Sequence, residues 1–357
     1  MLRPGVDQLP AYSSGEEPTW AIKLDANERS APLPVSVRNA IARRLRAVET
    51  YRYPEMNARP LRRLLADSLG VLPEQVSVGN GSSDLIAAVC ATFGGAGRTI
   101  AYQWPSFSMY PIYAALVDSP TLPIPLDEQY QLSLERVVQA VRQTDIKLLI
   151  LCNPNNPTGG PIAIADLRKI LQQVSCPVLV DEAYYEYCGE TVLPWLAEFP
   201  NLMVARTFSK AYGLAAGRTG YLLASANLSA AIGKFLLPYH LNAFSMAAAE
   251  VCYEMRDTIL QEVRRTKVRR DGLARRLQKT GVTQVYPSAT NFLLVKVDKP
   301  DELNELLIAQ GIGVRNFSRT VGLAGCLRIT IGSPKENEAI LACVNQYAAQ
   351  LANGSET

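Results

Sequence analysis

Four short apolar runs, each followed by polar or turn-forming residues, constrain the fold of this chain most. They are Thr99–Tyr102, Lys147–Cys152, Val178–Asp181 and Leu202–Arg206. Short apolar strands that alternate with helices pack as a mostly parallel sheet covered on both faces. We therefore predict an α/β fold.

Helical periodicity surrounds these runs and continues beyond them. It covers Val35–Val48, Ala58–Leu69 and Ser82–Phe93, and a long pattern without proline extends from Ser245 towards Lys279. Since 357 residues exceed what one core usually holds, we expect a second lobe.

The last part of the chain has the pattern of a smaller α/β lobe. Strand-like runs at Asn291–Val297, Gly313–Arg315 and Leu327–Ile331 alternate with helical segments at 300–310 and 334–351. The first residues are rich in Pro, Ser and Glu and are typical of an arm. We predict an N-terminal arm over 1–35, a large domain over 36–250 and a small C-terminal domain over 251–357.

Composition excludes several classes of protein. A net charge of +3, from 36 basic and 33 acidic residues, is too small to favour nucleic acid as the main partner. Seven cysteines without a C-x-x-C pair and a single histidine argue against disulfide frameworks and multi-histidine metal sites. No apolar run reaches the roughly 18 residues that a membrane span needs, so we expect a cytoplasmic protein without a metal.

One lysine lies among small and hydroxylated residues, with an arginine eight positions later. The stretch is Thr207–Arg218, and the lysine is Lys210. An exposed lysine, with a pKa of ~10.4, is protonated at neutral pH and cannot attack a carbonyl. Burial beside another cation lowers the pKa and frees the amine for covalent catalysis. An ordinary exposed lysine in a glycine-rich loop is the alternative.

Three further blocks place polar groups at the ends of strands. Gly79–Asp84 precedes a helix and can offer backbone N–H groups to a phosphate, although a plain helix cap remains possible. The block Cys152–Gly160 follows a strand and presents Asn156. Asp181 ends another strand, with Tyr184 three residues later, and a carboxylate there needs a cation.

In order and spacing these blocks resemble the fold-type I aminotransferases, the class I/II family that uses pyridoxal 5′-phosphate (PLP). The resemblance implies a seven-stranded, mostly parallel sheet in the large domain. It implies that Lys210 bonds covalently to PLP and later moves a proton, and that Asp181 pairs with the pyridine nitrogen. Tyr184 and Asn156 would bond the phenolic oxygen of the cofactor.

The resemblance also assigns the remaining cofactor contacts. Phe107 would stack on the ring, where relatives more often carry tyrosine, and Tyr53 would reach the phosphate in a neighbouring subunit. That contact implies a homodimer with shared sites. The phosphate-binding positions are Ser83, Asp84, Thr207, Ser209 and Arg218.

Within the family, the similarity is greatest to the histidinol-phosphate aminotransferase branch. The segments that carry it are Leu24–Glu28, Pro238–Asn242, Gly313–Arg315 and Cys326–Gly332. The implied reaction is transamination between L-histidinol phosphate and 2-oxoglutarate or glutamate, in histidine biosynthesis. The arm reads N-E-R-S, with Arg29, where N-E-N-P is usual.

This branch implies four substrate-binding residues. Arg328 would hold the acidic group of each substrate, Arg315 would add a second cation for a phosphate, and Tyr12 and Asn27 would be neutral donors. Aromatic amino-acid aminotransferases and threonine-phosphate decarboxylases remain alternatives. A PLP-sensing transcription regulator is disfavoured, because a 35-residue arm is shorter than a typical domain of roughly 50 residues.

Overall fold

The computed structural model describes residues 20–354 and begins with a two-residue strand, β1 (Ile22–Lys23). A seven-stranded sheet follows in the order β2-β8-β7-β6-β5-β3-β4. Its strands are β2 (Val76–Asn80), β3 (Thr99–Trp104), β4 (Thr121–Pro125), β5 (Ile146–Cys152), β6 (Val178–Asp181), β7 (Leu202–Thr207) and β8 (Thr219–Ala224). Neighbours from β7 to β4 are parallel, and β8 is antiparallel to both of its neighbours. The predicted α/β fold with a mostly parallel sheet is confirmed.

Helices cover both faces of this sheet. Because side chains alternate between faces along a strand, Leu149 and Leu151 of β5 join one apolar cluster while Leu148 and Ile150 join another. The covering helices are α1 (Val35–Arg46), α2 (Arg59–Leu69), α3 (Gly81–Phe93), α4 (Met109–Leu116), α5 (Leu134–Gln143), α6 (Ile164–Gln173), α7 (Tyr185–Cys188), α8 (Ala226–Gly233) and α9 (Ala243–Glu254). Burial on both faces explains why the strands are continuous apolar runs.

A smaller α/β unit is built mainly from the C-terminal part of the chain. Its sheet has the order β12-β13-β10-β9, and its helices are α10 to α13. The strands are β9 (Gln284–Val285), β10 (Phe292–Lys296), β11 (Ile312–Gly313), β12 (Arg315–Asn316) and β13 (Cys326–Thr330), and the helices are α10 (Arg256–Ile259), α11 (Gln261–Lys279), α12 (Pro300–Ala309) and α13 (Pro334–Gly354). Among residues 20–354, no helix is both long and apolar enough to cross a membrane.

Residues 22–24, within the segment assigned to the arm, pack into this smaller unit. Strand β1 pairs in parallel with β11, and the N–H of Leu24 donates to the carbonyl of Gly313 at 2.8 Å. The N–H of Thr330 in turn donates to the carbonyl of Leu24 at 2.9 Å. The Leu24 side chain is 3% exposed and belongs to the core of the unit.

The helical pattern expected to run without interruption from Ser245 to Lys279 is divided into three helices. The breaks lie at Met255 and Leu260. At the second break, the N–H of Val263 donates to the carbonyl of Leu260, three residues back. The carbonyl of Ile259 accepts from Nη1 of Arg29 at 3.2 Å. Periodicity did not reveal this break, and the partner of the Ile259 carbonyl lies 230 residues away.

The strand expected over Gly313–Arg315 is also divided. Gly313 ends β11, which pairs with β1, whereas Arg315 begins β12, which pairs with β13. The chain therefore changes sheets at Val314. Two short pairings replace the one continuous strand that the apolar pattern predicted.

Candidate active site

The ends of four strands meet at one edge of the large sheet. Parallel pairing aligns Cys152 with Asp181, the last residues of β5 and β6. Strand β8 is antiparallel and opposes Thr207 with Gly220, so Arg218 reaches the same edge from the opposite chain direction. Ligands of open α/β sheets bind at this edge.

Asp181 is a buried carboxylate, 3% exposed. The hydroxyl of Tyr110 donates to its Oδ2 at 2.8 Å, and the N–H of Ala183 donates to its Oδ1 at 3.2 Å. Burial raises the pKa of Asp181 to about 6, although both bonds and nearby Lys210 oppose that rise. A cation at this position would stabilise the ionised carboxylate and lower this pKa.

The amine of Lys210 is withdrawn from solvent. Its Nζ donates to the carbonyl of Ala26 at 2.9 Å. Burial, and then the charge of Arg328, lower the pKa of Lys210 to about 7, while Glu28 opposes the shift. A large share of the amine is therefore uncharged at neutral pH, as a covalent catalyst requires. The geometry does not fit an ordinary exposed loop lysine.

Hydroxyl and guanidinium groups flank Lys210 on the side towards β8. Nη1 of Arg218 donates to Oγ of Ser209 at 3.2 Å, and Oγ1 of Thr207 accepts from the N–H of Ser209 at 3.0 Å. Ser209 and Thr207 are buried, whereas Arg218 is exposed. These groups lie on one side of the predicted phosphate site.

The start of α3 lies on the other side of the predicted site. At Gly81, whose φ is +78°, an added Cβ would lie 2.7 Å from Nη2 of Arg218, and at Gly220 it would lie 2.3 Å from the N–H nitrogen of Ser82. Glycine at both positions lets the start of α3 approach β8 and Arg218. No side-chain hydrogen bond caps α3 at Asn80, so its first N–H groups can bind an anion.

Ser83 and Asp84 lie in the first turn of this helix and are half-buried. The carboxylate of Asp84 accepts from the N–H of Asn80 at 3.1 Å. It therefore turns back towards the end of β2.

Two predicted ring contacts and two predicted substrate contacts meet near Lys210. Nδ2 of Asn27 donates to the hydroxyl of Tyr184 at 2.9 Å, and Nη1 of Arg328 donates to Oδ1 of Asn156 at 2.6 Å. Nη2 of Arg328 also donates to the carbonyl of Asp25. Asn27 and Tyr184 are 1% and 3% exposed, so these hydrogen bonds are protected from water.

Arg315 and Arg328 lie directly opposite each other in antiparallel strands β12 and β13. Directly opposed residues point to the same face of a sheet, and like charges in such pairs are destabilising. Over residues 20–354, Arg315 makes no ion pair with another side chain. The two arginine side chains therefore leave the same face of the sheet, an arrangement suited to an anion that carries more than one charge.

The remaining predicted residues lie at the margin of the site or outside it. Phe107 is half-buried and packs edge-on against Tyr110, with ring centroids 5.5 Å apart. Tyr53 is 80% exposed and stacks on Tyr239 at 4.6 Å. Tyr12 lies outside the residues that the structure describes.

Three contact residues were missed from the sequence. Tyr110 supports Asp181, Asn291 donates through Nδ2 to the carbonyl of Asn27 at 3.0 Å, and Arg29 contacts the chain beside Lys210. Only Tyr110 could have been found from a local sequence pattern, since it lies on α4, three residues after Phe107. Asn291 and Arg29 act through contacts between distant segments.

The sequence model of the family described as "Aminotransferase class I and II" matches residues 20–344. The chain belongs to this family. It is 37% identical over 348 residues to a histidinol-phosphate aminotransferase of Caldanaerobacter subterraneus subsp. tengcongensis, covering 97% of this chain and 98% of that relative. The resemblance inferred from the motifs is thereby confirmed.

Solved structures agree with this assignment. A histidinol-phosphate aminotransferase from Sinorhizobium meliloti, in complex with pyridoxal-5′-phosphate, has a TM-score of 0.85 at 26% identity and covers 93% of this chain and 92% of its own. An L-threonine-O-3-phosphate decarboxylase from Porphyromonas gingivalis has a TM-score of 0.80 at 22% identity, covering 91% and 99%. The second likeness shows the fold alone, so the fold does not choose the substrate.

Proposed function

We propose that this chain is a PLP-dependent aminotransferase that moves an amino group between L-histidinol phosphate and 2-oxoglutarate or glutamate, in histidine biosynthesis. The observation that carries the proposal is the opposed pair Arg315 and Arg328, of which Arg328 lies near enough to Lys210 to lower its pKa. The full-length similarity to histidinol-phosphate aminotransferases supports it.

The residues of the site fit PLP. The cofactor has a phosphate, a basic pyridine nitrogen and a reactive carbonyl. The start of α3 and Arg218 offer hydrogen-bond donors to the phosphate. Buried Asp181 offers a carboxylate to the pyridine nitrogen, and the amine of Lys210 suits the carbonyl. When bound, PLP withdraws electrons from the Cα of the substrate and takes up its amino group.

A few side chains of the protein would then assist the reaction. Asp181, held by Tyr110, would keep a proton on the pyridine nitrogen, because an ionised carboxylate stabilises that positive charge. Lys210 would take the proton from Cα and return it, since its lowered pKa lets the amine act as acid and base near neutral pH. Tyr184, anchored by Asn27, would orient the cofactor.

The two arginines would select the substrate. Histidinol phosphate has no α-carboxylate, so its phosphate would occupy the place between Arg328 and Arg315. A phosphate dianion accepts more charged hydrogen bonds than a carboxylate does. Glutamate would need Arg328 for its α-carboxylate and would depend less on Arg315.

A screen of single amine donors tests the proposed substrate. PLP-loaded protein is mixed separately with histidinol phosphate, phenylalanine, tyrosine and threonine phosphate, and the loss of visible cofactor absorbance is followed. Histidinol phosphate should exceed every other donor by more than about tenfold, or about 1.4 kcal/mol. A smaller gap supports a broad aromatic transaminase, and release of CO₂ from threonine phosphate supports a decarboxylase. Lys210→Ala should abolish the reaction with every donor.

Two substitutions separate the roles of the arginines. Arg328→Met should weaken the binding of both substrates by on the order of 2–5 kcal/mol. Arg315→Met should weaken the binding of histidinol phosphate by a similar amount and leave the binding of glutamate nearly unchanged. Arg319→Met, at an exposed position a few residues along the chain, is the matched control. Equal losses for both substrates in Arg315→Met would reject Arg315 as a phosphate ligand.

We further propose a cytoplasmic homodimer in which Tyr53 reaches the cofactor phosphate of the neighbouring subunit. Its support is the exposed stack of Tyr53 on Tyr239, with Leu237 nearby in the chain and 76% exposed. The cytoplasmic location is supported by seven free cysteines, as expected in a reducing compartment.

Mixing two inactive variants tests the shared site. Tyr53→Ala and Lys210→Ala dimers are mixed, dissociated and reassembled. In mixed dimers one site carries both changes and the other carries neither, so activity should recover to about one quarter of wild type. Failure to recover activity, with mixed dimers present by mass spectrometry, would place Tyr53 in its own subunit's site, and an active Tyr53→Ala variant would place it in neither site.

A further inference from the structure

Arg29 lies where the N-terminal segment passes from the smaller unit to the large domain. Immediately before it, Nδ2 of Asn291 donates to the carbonyls of Asn27 and Glu28 at 3.0 and 3.2 Å. Immediately after it, Ser30 contacts α11 through Glu262 at 3.4 Å. Arg29 itself turns towards the chain that carries Lys210.

The guanidinium of Arg29 bonds two separate backbone segments. Nη1 donates to the carbonyl of Ala211 at 3.3 Å and to the carbonyl of Ile259 at 3.2 Å. Ala211 is the residue after Lys210, and Ile259 ends α10. One side chain therefore fixes the Lys210 segment relative to the junction of α10 and α11.

The aliphatic part of Arg29 packs on the same turn. The N–H of Gly213 donates to the carbonyl of Lys210 at 3.1 Å and closes the turn. Gly213 has φ +65°, and a Cβ there would lie 2.8 Å from Cδ of Arg29. The absence of a side chain at Gly213 is what lets Arg29 lie across the turn.

This placement has an electrostatic cost. Burial lowers the pKa of Arg29, and Glu262 opposes that shift. Glu262 is 6% exposed and accepts from Arg269 at 2.7 Å. A guanidinium that is partly removed from water needs its carbonyl bonds, so the position of Arg29 is closely determined.

We propose that Arg29 is a positioning residue for the amine of Lys210, acting through the Ala211 carbonyl and the turn closed by Gly213. Arg29 follows Ala26, whose carbonyl accepts from Nζ of Lys210, by only three residues. It therefore fixes both the turn that carries the amine and the segment that receives it. This inference rests on the proposed function for its catalytic consequence.

The test measures the amine directly, in protein freed of cofactor. Acetic anhydride acetylates only the neutral amine, so the extent of labelling at Lys210, followed by peptide mass spectrometry across pH, gives its midpoint. The wild-type midpoint should lie near 7, in keeping with the lowered pKa of Lys210. In Arg29→Met the turn relaxes and water reaches the amine, so the midpoint should rise by about one unit or more.

Two further variants control the result. Arg269→Met removes a guanidinium that bonds Glu262 and Ser30 but not the Lys210 turn, and its midpoint should equal that of wild type. Arg29→Lys keeps the charge but replaces the planar fork by a single ammonium, and it should give an intermediate shift. This variant also serves as the test if Arg29→Met does not fold.

Turnover with PLP supplies the second readout. Arg29→Met should lower kcat about tenfold and leave KM within about twofold, because orientation and not substrate binding is affected. A folded Arg29→Met protein with the wild-type midpoint overturns the proposal, even if its thermal stability is reduced. If wild type fails to transaminate histidinol phosphate, the proposed function fails, whereas the labelling midpoints still decide the role of Arg29.

Discussion

At the scale of single residues, the site is defined by two groups whose pKa values are displaced towards neutrality from opposite directions. Burial raises the pKa of Asp181 to about 6 and lowers that of Lys210 to about 7. In its charged form, neither group stabilises the folded protein. Such pairs mark functional positions more often than structural ones.

Asp181→Asn should therefore stabilise the cofactor-free protein in a pH-dependent manner. Because the folded-state pKa exceeds the ordinary value of 3.8, the folded protein binds more protons between these values, and stability falls as pH rises through this window. At pH 8 the substitution should raise the free energy of unfolding by about 1–3 kcal/mol. The gain should vanish below pH ~3, where the aspartate is protonated in both states.

Urea denaturation at several pH values measures this effect. Asp145→Asn, at a side chain that is 82% exposed, is the control and should show no comparable gain. A stabilisation by Asp181→Asn that is equal at every pH would contradict the electrostatic explanation, because the neutral amide would then act through packing.

The sequence was sufficient to predict the placement of residues that belong to a local motif. Lys210, Asp181 and Asn156 stand at strand ends or in a turn, and parallel pairing brings such positions together without further information. Arg29 was noticed only as a departure from the usual motif. Its partners lie 182 and 230 residues away, and no local pattern encodes contacts of that kind.

At the scale of elements, the contact between β8 and the start of α3 limits what the site tolerates. The backbone of Gly220 lies so near α3 that an added Cβ would meet the N–H nitrogen of Ser82 at 2.3 Å and the carbonyl carbon of Gly81 at 2.5 Å. Both are backbone atoms of the predicted phosphate site. Rotamer changes cannot relieve that overlap.

Gly220→Ala should accordingly destabilise the protein by about 1–3 kcal/mol and weaken PLP binding, because the start of α3 must move. Gly272→Ala is the matched control: no atom lies within 4 Å of its added Cβ, and it is inside α11. It should stabilise the helix by about 0.5–1 kcal/mol. Thermal melts and PLP titrations of both variants measure this. If Gly220→Ala binds PLP with unchanged affinity, the start of α3 is not part of the cofactor site.

Element boundaries were predictable where burial imposes a simple period. Strand β6 was predicted with its observed bounds, since apolar continuity reflects burial on both faces. The breaks at Met255 and Leu260 were not predicted, because the apolar period continues through them. The change of sheets at Val314 was not predicted either, because the apolar pattern continues through that residue.

At the scale of the whole molecule, the N-terminal segment and the C-terminal sheet form one packed unit. Leu24→Ala should cost about 2–5 kcal/mol, since this side chain is 3% exposed in a core otherwise formed mainly by residues after 272. Hydrogen–deuterium exchange should show loss of protection at Thr330, whose N–H bonds the Leu24 carbonyl. Val35→Ala, 61% exposed, is the control. Loss of protection confined to residues near position 24 would contradict a shared core.

This union has a consequence for how the enzyme is made. The N–H of Asn27 bonds Oγ1 of Thr330, 303 residues later, and the ribosome releases the first long before it has synthesised the second. Until then the carbonyl of Leu24 lacks the N–H of Thr330, and the amine of Lys210 lacks the Arg328 charge that helps to lower its pKa. A nascent chain halted before Cys326 would thus carry Lys210 without the setting that makes it reactive. The reactive amine would be acquired only after β13 has been synthesised.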